Sequence, residues 1–390
     1  MNYELISAII VYSFLFFIIY KNRKKFQIMD KIFIVYKWDK GVDFIKKFSK
    51  KYLIVFYTIG IPICLFFMIF SVEMMWEGAL MIFSSPNPEP TVALAIPGVK
   101  IPGSPIYIPF WYGIIALITV LVSHELSHGI SATIEKIKLK STGVGLMAIL
   151  PLAFVEPEQK SYNSAKKISR IRMLIAGSFA NITLAGISIL LVTFFFYPLI
   201  DSTVTYDGVI ISSTVSEGPA SLAGVSNNSR MLEINNESFT NITGFHHALS
   251  LITPGEAVSL LTNESYYEFN ASSHPDNESM AYLGVFAEQE WRFKEELSAL
   301  PLFILNIPFI LANIFMWIAN LNLAIGIINL FPLWITDGGK LLVEIISPLF
   351  KDQKKSMIIA HYIFIICLSL LLFNLLGAYF INAVNSIALQ

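Results

Sequence analysis

The chain has 390 residues, 55% of them hydrophobic and only 14% charged, with a mean hydropathy of +0.64. Soluble domains carry roughly 25% charged residues, and several apolar runs here approach the ~20 residues a bilayer-crossing helix needs. These figures exclude a soluble enzyme, a disordered chain and a nucleic-acid-binding domain, and they predict a polytopic α-helical membrane protein. The net charge of −1 averages over segregated charge: of 27 Lys and Arg, eleven lie in 21–51, eight in 136–172 and four in 340–355. The segment 199–297 has three basic residues against fourteen acidic ones. Lys and Arg excess marks cytoplasmic loops, so the basic segments are expected inside and 199–297 outside.

Six spans are predicted. The first, 4–20, is ended by Lys21, Arg23, Lys24 and Lys25. A cleaved signal wants a basic start and small residues at its cleavage site. This start is acidic or neutral and this end is bulky, so an uncleaved anchor with its N-terminus outside is expected. The second span, 52–72, completes a pair of N-terminal helices in 1–72 joined by a basic loop. Residues 73–107, with Pro86, Pro88, Pro90, Pro97, Pro102 and Pro105, read as an irregular external cap, because prolines stop helices. The third span is 108–135. Residues 141–158 are apolar but broken by Gly143, Gly145, Pro151 and Pro157. Too short to cross, they are expected as a re-entrant or membrane-edge extended segment that is buried in protein or lines a cavity.

The fourth span, 171–200, closes the first part of the membrane core, 108–200. Residues 201–297 form the one soluble domain, small and rich in short β-type runs. The fifth span, 300–330, lies in the second part of the core, 298–350, and the sixth, 357–380, in 351–390. Alternating crossings then place every basic block on the cytoplasmic side of a multi-pass protein of the cell membrane. Six N-x-S/T sequons, at Asn227, Asn236, Asn241, Asn263, Asn270 and Asn277, fall in the external domain. An Asn- and Ser-rich composition produces some by chance, but their clustering predicts glycosylation at others. Cys64 and Cys367 carry neither a disulfide framework nor metal spacing and read as lipid-facing or packed thiols.

The strongest chemical signal is LVSHELSHGI in the third span. His124 and His128 are four apart, so a helix projects both from one face, with Glu125 beside them. Two histidines and a third ligand can hold a zinc ion with a position left open for water. A neighbouring glutamate can take the proton of that water and pass it to a leaving amine. Ionisable groups at membrane depth are costly and point to function; a polar helix-packing cluster is the bland alternative. The obvious third ligand is Asp337 in GIINLFPLWITDGGKLL, the only acidic residue between Glu296 and Glu344. Pro332 breaks the helix before it, and Gly338 and Gly339 permit tight geometry after it. On its own Asp337 reads equally well as a loop residue or as the N-cap of a helix over 338–350. His246, His247, His274 and His361 read as solvated or packed.

The pairing of His124-Glu125-Leu126-Ser127-His128 with Asn329-Leu330-Phe331-Pro332 and Asp337-Gly338 resembles the signature of site-2 proteases, the intramembrane zinc metalloproteases. The segments LPLAFVEP and RIRMLIAGSFAN extend the likeness over most of 108–345. Trp334 and Thr336 stand where that family often has Pro and Leu. The resemblance implies one catalytic Zn2+ held by His124, His128 and Asp337, with Glu125 as general base. It also implies that Asn181 and Asn329 face the substrate, helix–helix hydrogen bonding being the alternative for Asn181.

The runs GVIISSTVSEGPASLAGV, MLEINNESF and ITPGEAVSLL in 201–297 resemble the PDZ domain inserted in many such proteases, although Ser229-Arg230 replaces the usual Gly-Asp. Such a domain binds extended peptide at a sheet edge, and Tyr282-Leu283-Gly284-Val285 is the candidate peptide loop. The implied activity is cleavage of peptide bonds in or near transmembrane segments of membrane-protein substrates, as in regulated intramembrane proteolysis. The partners are then those substrates, a peptide or substrate ectodomain at the PDZ-like domain, and the lipid bilayer, with no nucleic acid. Substrate would unwind and pair with the 141–157 segment. Two rivals are a membrane zinc peptidase recruiting a downstream glutamate, for which none is suitably placed, and a non-catalytic scaffold or transporter. Internal repeats that would support a transporter are absent from the sequence.

Overall fold

The computed structural model describes residues 3–388 apart from 24, 30–32, 39, 86–87, 94–95, 102–105, 148–149, 276 and 351. Lys24, Pro86, Pro102, Pro105 and Lys351, which entered the sequence reading, lie outside the described residues. The chain divides into two compact units, one of Met1–Phe194 with Leu311–Gln390 and one of Phe195–Ile310. Among the described residues six helical stretches are long and apolar enough to cross a membrane: Glu4–Lys21, Leu53–Ser84, Phe110–Ile134, Lys167–Thr203, Leu302–Leu330 and Lys354–Ile387.

In chain order the first unit opens with α1 (Tyr3–Lys21), the hairpin strands β1 (Phe26–Met29) and β2 (Phe33–Lys37), and the short helix α2 (Gly41–Phe48). Next come α3 (Leu53–Ser84), α4 (Phe110–Ile134), β3 (Leu139–Met147), β4 (Leu150–Pro157), α5 (Gln159–Ser164) and α6 (Lys167–Leu191). Helix α3 runs past the predicted end at 72, through Glu73 and Glu77, to Ser84. Isolated carboxylates do not end a helix, whereas the proline-bearing stretch that follows does. The irregular cap is therefore shorter than 73–107.

The 141–158 segment is extended, as expected, but it is half of a larger element. β1, β2, β3 and β4 form one antiparallel sheet in that order. Its centre is the β2–β3 ladder, with Val35 opposite Gly145 and Tyr36 opposite Val144. Two basic segments far apart in sequence thus share a sheet. The glycines that interrupt the apolar pattern have a steric reason: a Cβ on Gly145 would lie 2.2 Å from the Ile34 carbonyl oxygen. The sequence reading missed β1 and β2, which are short and lie in a lysine-rich loop.

The second unit follows a π-turn (Val192–Phe196). It contains α7 (Tyr197–Thr203), β5 (Val204–Thr214), α8 (Pro219–Leu222), β6 (Arg230–Ile234), β7 (Glu237–Ser238), α9 (Ile242–Ser250), β8 (Ala257–Thr262), β9 (Tyr266–Asn270), β10 (Ser272–His274), β11 (Asn277–Tyr282), β12 (Val285–Phe293) and α10 (Leu302–Leu305). The main sheet has the order β12-β5-β6-β8-β9, with β7 against β6, and β10 pairs β11 separately. Val209, Ile211, Met231, Ile234, Phe245 and Leu260 form its core. All six sequon asparagines are exposed. Three already serve the backbone: Asn241 accepts the Gly244 N–H as the cap of α9, Asn263 accepts that of Arg230, and Asn277 accepts that of Ser279.

The first unit is completed by α11 (Ile307–Leu330), α12 (Asp337–Ile346) and α13 (Gln353–Ala388). Ile45, Tyr57, Cys64, Ile130, Ile175, Phe179, Leu330 and Leu341 form a shared core of six helices. Cys64 and Cys367 are both buried, so both thiols are packed. Asn374 of α13 donates to the Met75 carbonyl at 2.7 Å and bonds Thr91, which fastens the cap to α3.

Two ion pairs brace α6. Arg170 donates from Nε and Nη2 to the two oxygens of the Glu344 carboxylate of α12, at 2.7 and 2.8 Å, and Arg172 meets Glu135 at 2.8 Å. Removing one partner of a mostly buried pair strands the other charge and costs about 3–5 kcal/mol. Arg170→Leu should therefore lower stability by about 2–4 kcal/mol in denaturant titration of the purified protein. Adding Glu344→Leu should recover much of that loss; a double variant no more stable than the single one would show that the pair is not a clamp.

Candidate metal centre

Helix α4 sets His124 and His128 one turn apart on its buried face, their rings 4.7 Å apart edge to face. Asp337 arrives from the other end of the chain as the first residue of α12. Its carboxylate Oδ2 lies 3.1 Å from His124 Nε2 and 2.9 Å from His128 Nε2, and the two Nε2 atoms are 3.1 Å apart. Four ligands at ~2.05 Å on a tetrahedral ion stand roughly 3.3 Å from one another. Three buried lone-pair atoms at this spacing, with no side chain between them, fit a zinc ion with a fourth position left over. Among the described residues this trio is the one group of His, Cys, Asp or Glu able to hold a metal.

The surroundings fix each ligand. His128 Nδ1 lies 2.7 Å from the Met173 carbonyl oxygen, so that nitrogen carries the proton and Nε2 is free. Behind His124, the Asn181 side-chain amide lies 3.3 Å from Nδ1 and 2.6 Å from Ser123 Oγ. In the structure Asn181 Nδ2 faces Nδ1 and Ser123 Oγ donates to Asn181 Oδ1. The two ends of an amide are interchangeable, and with the oxygen turned toward the histidine Nδ1–H would donate and Nε2 would again face the metal position. Ser123 would then pass its own proton to the Thr119 carbonyl, and Asn322 donates to Thr119 Oγ1 and the Ile318 carbonyl. Thr336 organises the approach to Asp337. Its hydroxyl accepts the Gly339 N–H and donates to the Phe331 carbonyl at 2.6 Å. Thr336, not Asp337, is thus the N-cap, and α12 begins at Asp337 rather than 338. The backbone has no room to spare here, because a Cβ on Gly338 would sit 1.9 Å from the Leu330 oxygen.

Glu125 projects beside the trio, and its Oε2 accepts the Val155 N–H at 2.9 Å. Val155 belongs to β4, the outer strand of the sheet, so the carboxylate is tied to that strand's edge. A cavity of about 560 Å³ is lined by His124, Glu125, His128, Asp337, Phe154 and Val155, and also by Asn329 and Tyr162. Burial, with the Glu344 carboxylate adding to it, pushes the Tyr162 phenol up from its ordinary pKa, so it stays a protonated donor.

The structure thus brings His124, Glu125, His128, Asp337 and Asn329 to one cavity. Asn181 is fully buried behind His124 and is not part of the wall. Two residues escaped the sequence reading. A Cβ on Gly177 would stand 2.4 Å from His128 Nε2 and 2.7 Å from His124 Cε1, so α6 presents bare backbone to both rings. Its signal was the four-residue spacing from Asn181, which puts both on one helix face. Asn322, fully buried, lies two turns before Asn329, and a polar residue at that depth was signal enough.

A sequence profile of peptidase family M50 matches residues 112–373. The chain is also 34% identical over 192 residues to an uncharacterized protein of Methanocaldococcus jannaschii, a match covering 49% of this chain and 50% of that protein. It therefore spans about half the length of that curated relative. The family match takes in the metal trio, Glu125 and Asn329, and extends over well more than half of the chain: the protein belongs to peptidase family M50, the site-2 protease family.

Proposed function

We propose that the protein is an intramembrane zinc metalloendopeptidase that cleaves membrane proteins within or near their transmembrane segments. The observation that carries this reading is the convergence of His124, His128 and Asp337 at 2.9–3.1 Å in a cavity that also holds Glu125. These three residues would hold the zinc. When bound, the ion supplies a Lewis acid for the scissile carbonyl and makes water acidic enough to attack at neutral pH.

Glu125 takes the proton of the attacking water and returns it to the leaving nitrogen. The Val155 N–H fixes one of its oxygens, which leaves the other to face the cavity. A helical substrate hides its carbonyls in its own hydrogen bonds, so it must be extended before attack. The edge of β4 supports that step, because a strand edge can pair with an extended peptide. Asn329 is placed to hydrogen-bond that peptide. Asn181 serves as a positioning residue that sets the His124 tautomer, rather than as a substrate contact.

The second unit is proposed to bind an extended peptide or substrate ectodomain in the PDZ manner. Two features support this: β12 is an outer strand of its sheet, and a cavity of about 670 Å³ is lined by Val215, Pro219, Phe269 and Tyr282. The charge distribution supports a multi-pass protein of the cell membrane with this unit and the N-terminus outside and the metal centre toward the cytoplasm.

Glu125→Gln should leave zinc at wild-type stoichiometry and lower cleavage of a co-reconstituted transmembrane substrate by about 10²–10⁴-fold. Cleavage at the wild-type rate removes Glu125 as the base, and stoichiometric zinc without cleavage in the unmutated protein would return the scaffold reading. Asp337→Ala should abolish stoichiometric zinc; full retention by elemental analysis counts against it as a ligand. Gly177→Ala should weaken zinc binding by about 10–100-fold in chelator competition, since the added methyl must displace the His128 ring. Unchanged affinity would mean that α6 gives way there at no cost.

A further inference from the structure

We propose that α2, with Trp38 before it and the lysines around it, is an in-plane anchor for anionic lipid headgroups. Its leaflet is the one at which α1 ends and α3 begins. This inference is independent of the peptidase reading.

One edge of α2 is committed to the protein. Gly41 and Ile45, one turn apart, are buried. Ile45 packs on Gly129, where an added Cβ would meet its Cδ1 at 2.6 Å. Trp38 is held on the sheet by a reciprocal pair of bonds: its N–H donates to the Thr142 carbonyl at 2.7 Å, and Thr142 Oγ1 donates to the Trp38 carbonyl at 2.8 Å. The helix is thereby fixed in orientation, and its other two faces are determined.

One of them is aromatic. Trp38, Phe44 and Phe48 are 44%, 43% and 48% exposed, and their rings form a row with successive centroids 6.0 and 5.0 Å apart. Large apolar side chains grouped in this way mark a contact surface. The other face is basic. Lys46, which pairs with Asp43 at 2.9 Å, and Lys47 are exposed on α2, as are Lys40, Lys50 and Lys51 beside it. The run 37–52 carries six lysines against Asp39 and Asp43. An aromatic flank beside a lysine face is the pattern of a helix lying in the bilayer interface, with rings at the acyl boundary and cations among the headgroups.

The occupant is set by position and charge. The run sits between the end of one apolar helix at Lys21 and the start of the next at Leu53, which places it at a bilayer face. Its aromatic row continues onto α4: Trp38 and Phe44 share a depression of about 130 Å³ with Val122, itself 54% exposed, and with Glu125 and Val155. A surface continuous with the lipid-facing side of a membrane helix meets lipid, and its excess positive charge selects anionic headgroups.

The test uses the full chain reconstituted in vesicles of phosphatidylcholine mixed equally with phosphatidylglycerol, one or the other lipid being brominated on its acyl chain. The Trp38 fluorescence is the difference between the wild type and Trp38→Phe. Brominated phosphatidylglycerol should quench it at least about twofold more than brominated phosphatidylcholine, an excess that added salt removes. The combined Lys46→Gln, Lys47→Gln, Lys50→Gln and Lys51→Gln variant should lose the excess while remaining quenched by phosphatidylcholine. Phe48→Trp with Trp38 retained, read as the fluorescence gained over the wild type, reports on the same surface if Trp38 proves necessary for folding. Equal quenching by the two lipids would overturn the anionic preference. No quenching by either would show that a protein segment, not lipid, covers the row.

Discussion

Placing ionisable groups inside a membrane protein is tolerable when they satisfy one another or hold an ion. The organisation of the first unit answers to that constraint. His124, His128 and Asp337 come from elements separated by an entire inserted unit, yet their ligand atoms meet within 3.1 Å. That closeness requires bare backbone at Gly177 beside the rings and at Gly338 beneath the turn. It also requires α12 to be seated on α6, which the Arg170–Glu344 pair secures. The β-sheet belongs to the same arrangement, since its outer strand supplies the N–H that steadies Glu125.

Membrane-embedded asparagines form a second, quieter layer. Asn181, Asn322 and Asn374 are each buried and each bonded across helices or to their own backbone. Hydrogen bonds of this kind between helices contribute roughly 0.6–2 kcal/mol apiece. The first two continue inward to His124. The same contacts that hold α4, α6 and α11 together therefore support the ring of a proposed ligand, and packing and site geometry cannot be varied separately here.

Legibility in the sequence followed the range of the interaction. His124, Glu125 and His128 were readable because a helix fixes their relation locally, and the apolar background left few rivals for the third ligand. The six helices were readable from composition, but the end of α3 was not, since the apolar run is interrupted by Glu73 and Glu77 and nothing local told that the helix continues. β1 and β2 were illegible because they are short and because β3, the second partner of β2, lies far along the chain. Thr336 was noted only as a departure from a family pattern, whereas its hydroxyl organises the turn before Asp337. Gly177 and Arg170 lacked visible roles until the rings of α4 and the carboxylate of α12 stood beside them.

The hairpin β1–β2 has a consequence for biosynthesis. Its partner β3 is made only after α3 and α4, two further apolar helices, have left the ribosome, and Asp337 emerges later still, after the whole of the second unit. A nascent chain thus carries both histidines and Glu125 long before the third ligand and the arginine's partner exist. The order of synthesis keeps the cluster open until nearly the last helix is in place, so a chain halted midway exposes histidines without a finished pocket around them.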